Sequence, residues 1–179
     1  MTETPQEYTR RMLETAEGRD PRKVQATTPA RLERLIRGVA ARKLRKRPAP
    51  GKWSVAEILA HLADGEIVVG WRMRQILGAP GITLQPFDQD VWANAGHYDK
   101  RDAHKSVAQF RAAREGNLAL LKSLTPEQWK HFGMHAERGR ESIEHIVRMH
   151  AGHDINHLKQ VERILTAAKQ GRLSRATRG

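Results

Sequence analysis

Residues 143–165 read IEHIVRMHAGHDINHLKQVERIL, and this stretch decides the fold. Ile143, Ile146, Val147, Val161, Ile164 and Leu165 recur at the three- and four-residue spacing of one helix face. His150, His153 and His157 fall on the same stripe, so imidazoles interrupt an aliphatic face for about two turns. Buried imidazoles without partners cost free energy, and a metal ion is the simplest way to satisfy several at once. The spacing predicts one long helix over 141–169.

Three more helices emerge upstream. Ser54 and Glu57 form a capping box ahead of Val55, Ile58, Leu59, Leu62, Val69, Met73 and Ile76, and Gly78 and Gly81 close that run. Residues 101–124 carry Val107, Phe110, Leu118, Leu121 and Leu124 at helical spacing. Thr28-Pro29 reads as a helix start, with Leu32, Leu35, Ile36, Val39 and Ala40 behind it and the helix continuing to Leu44. The segment 125–129, TPEQW, suggests one short helical turn. No strand alternation stands out. The pattern therefore predicts an all-α four-helix bundle with a long crossover, 81–100, between the second and third helices. Its expected limits are 28–169, after a polar N-terminal arm or short helix (1–27) and before a basic C-terminal tail (170–179).

Composition narrows the function. The chain has 179 residues, 39% hydrophobic and 29% charged, as one globular domain would. It contains no cysteine, which excludes disulfides, thiolate zinc sites and cysteine nucleophiles. The longest apolar run, 67–71, is far too short to span a membrane. The first residues show no apolar signal core, so the expected location is the cytoplasm. The net charge of +12 is local. Residues 31–52 hold nine Lys/Arg and one acid (+8), and residues 169–179 hold four Lys/Arg and no acid (+4). Such segments either grip an anionic polymer or form a solvated face and a tail. No nucleic-acid motif accompanies them, so nucleic acid is not the expected partner.

An H-x-x-x-H pair on one helix, here His153 and His157, is a common half-site for a divalent metal. The same spacing also fits hydrogen-bonded core histidines. A third ligand would come from a facing helix. His61 lies at the edge of the second helix's stripe, and Gly65, one turn on, leaves the approach open. His150 and Asp154 are placed to orient a ligating imidazole, and Asp64 to do so or to act as a general base. Asp64 and Asp154 equally fit plain charged residues. His135 and His145 read as surface residues. The tryptophans Trp53, Trp71, Trp92 and Trp129 read as packing at helix ends and in the crossover.

Three segments together resemble the DinB/YfiT-like superfamily of metal-dependent enzymes. They are RPAPGKWSVAEILAHLADGE (47–66), FDQDVW (87–92) and LTPEQWKHFGMHAERGRESIEHIVRMHAGHDINHLKQVERI (124–164). The resemblance covers roughly 28–168 in order. It implies an up-down-down-up bundle and a divalent metal, zinc or nickel, held by His61, His153 and His157. It also implies a homodimer. Its known activities are S-transfer or isomerisation with low-molecular-weight thiols, or hydrolysis, on small-molecule substrates.

Three neutral histidines leave an open metal position, which could hold a water of lowered pKa or a substrate thiolate. Two functional classes follow. One is a metal-dependent thiol S-transferase or hydrolase. The other is a non-catalytic binding protein with a structural metal, or with nucleic acid on its basic segments.

Overall fold

Small polar caps and prolines set most helix starts. In the computed structural model, which describes residues 3–176 and side chains through residue 167, Thr4 and Glu7 form a capping box at the head of α1 (Pro5–Thr15). Asp20 accepts from the N–H groups of Arg22 and Lys23 to open α2 (Pro21–Ile36). A four-residue helix, α3 (Ala41–Leu44), follows. The Ser54–Glu57 capping box opens α4 (Val55–Gly78) as the sequence indicates. Asp88 caps α5 (Gln89–Ala95), and Asp102 caps α6 (Ala103–Lys122). Thr125 and Gln128 cap the short α7 (Pro126–Lys130), and α8 (Ile143–Ala176) is the long last helix.

The bundle proper is α2, α4, α6 and α8, and shared neighbours fix its directions. Residues 55–63 of α4 share an apolar cluster with residues 103–110 of α6, and residues 69–76 share a second one with Leu121. The two helices therefore run parallel, which is why the connection between them must cross the length of the bundle. Leu158 and Val161 of α8 belong to the first cluster, and Ile143 to Val147 to the second, so α8 runs antiparallel to α4. On α2, Gln25 bonds the Val147 carbonyl and Arg31 pairs with Glu162, which makes α2 parallel to α8. The order is up-down-down-up.

Several expectations need correcting. The first bundle helix does not start at Thr28-Pro29. The same signature, a polar cap followed by proline, occurs earlier at Asp20-Pro21, and Pro29 lies inside the helix. That helix ends at Ile36, where Gly38 takes a φ of +70°, and it does not reach Leu44. Of the two readings of the N-terminal stretch, a loose arm or a short helix, the structure has the helix. α1 lies along α8 with Met12 wholly buried, and Gly152 makes the contact possible because a Cβ there would collide with the Met12 carbonyl. Strands do occur: β1 (Thr83–Leu84) runs parallel to β2 (Phe132–His135), which pairs antiparallel with β3 (Gly139–Ser142). His135 points into the fold at 2% exposure, against the surface reading, while Trp71 is 62% exposed rather than packed. The side chains of the basic tail lie outside the described residues.

The two apolar clusters do not merge. Between them lies a polar waist containing His61, Glu66, Arg114, Asn117, His153 and Asp154, all buried. Polar groups at such depth persist only when partnered, so the waist is where function is to be sought.

Candidate metal centre

Three imidazoles converge in the waist. α4 supplies His61, and α8 supplies His153 and His157 one turn apart. Nε2 of His153 lies 3.0 Å from Nε2 of His61 and 3.1 Å from Nε2 of His157. One candidate ligand atom from each residue falls within 4.8 Å of the other two. Nitrogens about 2.1 Å from one tetrahedral ion would sit about 3.4 Å apart, so the spacing suits a metal.

Protonation supports the same fit. Burial pushes the pKa of His61 and of His153 well below the ordinary histidine value, and the neighbouring imidazoles add to it. Burial also takes His157 down to about 4, although its hydrogen bond to Gln160 works the other way. Neutral rings present lone pairs, and lone pairs turned on one another repel unless a proton or a cation lies between them. Nδ1 of His157 lies 2.9 Å from Gln160 Oε1. As an N–H donor to that oxygen it leaves Nε2 free to ligate. Among the described residues, the buried Nδ1 atoms of His61 and His153 find no partner.

Aromatic rings wall the centre. Phe87, carried in by the crossover, stacks on His61 at 6.2 Å and 8°, and Trp92 meets Phe87 edge-on at 4.8 Å. Trp53 lies 5.1 Å from His61 on a different plane. The open side is a cleft of about 450 Å³ where His157, Asn156 and Gln160 face Trp53, Lys52 and residues of α1.

The expected supporting residues do other things. Asp64 accepts from the Tyr98 hydroxyl and from Arg101, both at 2.8 Å, so it ties the crossover to α4. Asp154 turns away from its neighbour His153 and is held by Arg114 at 2.6 and 3.1 Å. Only His150 stays beside the cluster, its ring 5.2 Å from that of His153. Gln160, Trp53, Phe87 and the α1 residues were missed by sequence reasoning. A glutamine three residues after a ligand-type histidine was the available signal for Gln160.

These shifts give a pH prediction. Each histidine held neutral in the fold has a native pKa below its unfolded value of about 6.5. His61, His153 and His157 do so, as does His150, which burial and the Arg114 charge take down to about 3. The unfolded chain then binds more protons, so stability falls as pH drops from about 6.5 towards 4 and is intact above. Each such histidine contributes about 1.4 kcal/mol per pH unit in that window. Urea midpoints of chelator-treated protein should start falling near pH 6.5, before ordinary carboxylates titrate. A midpoint flat down to pH 5 would contradict the buried, neutral centre.

Comparison with known proteins gives a consistent picture. A family model for the DinB superfamily matches residues 26–161. YfiT of Bacillus subtilis, provisionally named a metal-dependent hydrolase, is 24% identical over 139 residues, covering 75% of this chain and 78% of YfiT. OB0782 of Oceanobacillus iheyensis, named in the same way, is 25% identical over 111 residues, covering 62% of this chain and 64% of OB0782. The solved structure of YfiT superposes with a TM-score of 0.71 at 23% identity, over 80% of this chain and 84% of YfiT, and is described as an unusual four-helix bundle topology. That likeness carries the fold.

Proposed function

The chain belongs to the DinB superfamily, and from that premise we propose that it is a metal-dependent enzyme working on a small molecule at His61, His153 and His157. The carrying observation is the convergence of three neutral imidazole nitrogens beside an open cleft. A divalent ion there, zinc or nickel, would supply Lewis acidity and lower the pKa of a water or a thiol. The chain's own residues do the rest. Gln160 holds the His157 tautomer. Phe87 and Trp53 keep solvent from His61.

S-transfer with a low-molecular-weight thiol is favoured over hydrolysis. Hydrolysis wants a carboxylate near the metal to take the proton of the attacking water. Asp64 and Asp154, the two nearest in sequence to the ligands, are both engaged elsewhere, which leaves Asp90 on the cleft wall as the carboxylate hydrolysis would have to use. A thiol needs only the acidity a metal supplies. The cytoplasm and a homodimer belong to the same proposal. Ile67 and Trp71, one turn apart on α4 and 50% and 62% exposed, are apolar surface that a second copy could cover. No helix among the described residues is long and apolar enough to cross a membrane.

The test is turnover of the zinc- or nickel-loaded protein on two substrate sets, thiol plus electrophilic arene, and p-nitrophenyl esters. Thiol-dependent conjugation that chelation abolishes is the expected result. Ester cleavage without thiol would replace transfer by hydrolysis. Turnover of neither would remove the enzyme reading.

A further inference from the structure

The cleft beside the centre has one wall that lies outside the residues shared with the superfamily model, helix α1. Its position is fixed, because Met12 is buried against α8 and the α1 backbone rests on Gly152, next to His153. From that wall Arg11 and Tyr8 reach the cleft that His157 also lines.

Arg11 is oriented for a planar anion. Its guanidinium lies over the Tyr8 ring at 5.5 Å, and its Nη1 is 3.5 Å from Asn156 Oδ1. Its other edge, Nε and Nη2, donates to the two oxygens of one carboxylate, that of Glu3, at 2.6 and 2.8 Å. A two-point fork of this kind matches carboxylates in general. The side chains of the pair are 45% and 38% exposed, and exposed ion pairs contribute little, so Glu3 is readily displaced. Across the cleft stand Lys52 and Asp90. With Glu3 seated the four charges cancel, and a carboxylate ligand that replaced it would preserve that balance.

We propose that α1 is a specificity wall of this centre and that Arg11 holds a carboxylate of the substrate, in the place Glu3 takes in the free protein. This rests on the metal-enzyme reading and names the substrate's second group. The substrate is a small acid whose reacting atom meets the histidine centre while its carboxylate sits on α1.

The test uses the cobalt(II)-loaded full chain titrated with 3-mercaptopropionate and with the uncharged 3-mercaptopropionamide, read by cobalt absorption and by calorimetry. The acid should bind about tenfold tighter than the amide. Arg11→Gln should remove that preference by weakening the acid far more than the amide. Glu3→Gln should tighten the acid alone. Equal binding of acid and amide in the parent chain overturns the inference, as does an Arg11→Gln variant that weakens both alike. Unchanged acid affinity in Glu3→Gln overturns the displacement by Glu3. Failure to take up cobalt overturns the metal reading and this inference with it, whereas cobalt uptake without preference overturns this inference alone.

Discussion

His153→Ala should empty the metal centre and leave the bundle folded. His153 is the hub, since its Nε2 lies within 3.1 Å of both other ligand atoms. Without it, His61 on α4 and His157 on α8 remain as a two-point site on separate helices, and two imidazoles hold a divalent ion far less well than three. Metal content by plasma mass spectrometry should drop from about one ion per chain to background. Folding should survive for a local reason. The lost ring makes no hydrogen bond through Nδ1, and removing it relieves a buried polar atom without a partner. The cost is the cavity left behind. Thermal melting separates the two effects. The parent chain should gain about 4 kcal/mol when free metal stands a thousandfold above its dissociation constant, and the variant should gain almost nothing. A variant that kept stoichiometric metal would move the site elsewhere.

The three-histidine cluster was legible because helical spacing is a strong code. His153 and His157 share a face by number alone, and His61 sits at a stripe edge. The supporting shell was not legible, and the reason is angular. Asp154 follows His153 and so points about 100° away around the helix, towards α6 rather than towards the ligands. What waits there is Arg114, and it left a signal. Ala103, Val107, Phe110, Arg114, Asn117 and Leu121 are buried at spacings that alternate between four and three. Two polar residues therefore occupy inward positions of an otherwise apolar seam. The strands were illegible for another reason: the longest have four residues, too short for alternation to show. Helix α1 has apolar residues too sparse to announce a core contact, although Thr4, Pro5 and Glu7 carried its start.

Arg114 carries the second large effect. Arg114→Met should destabilise the protein by about 3–5 kcal/mol. The side chain is 1% exposed and binds on three sides. It donates to both oxygens of Asp154, to Glu66 at 2.8 Å, and at 3.0 Å to the backbone carbonyl of Gln25. That carbonyl is available because Pro29, four residues on, has no N–H to claim it, so the proline within α2 leaves an acceptor that Arg114 uses. Methionine fills similar space but leaves Glu66 and Asp154 buried and uncompensated. Both would then face a dry interior with no cation to offset them. Denaturant titrations measure this directly, and a loss below about 1 kcal/mol would exclude the charge argument. A triple variant, Glu66→Gln, Arg114→Met, Asp154→Asn, removes all three charges of the triad and should recover most of the stability. It should bind the metal more weakly than the parent chain. Two carboxylates and one guanidinium leave a net negative charge in the waist, one residue from His153. Three neutral imidazoles offset none of the charge of a divalent ion, so that residual charge favours cation binding. A stable triple variant with weaker metal affinity would show that the ion triad serves the centre. Unchanged affinity would mean that it serves packing alone.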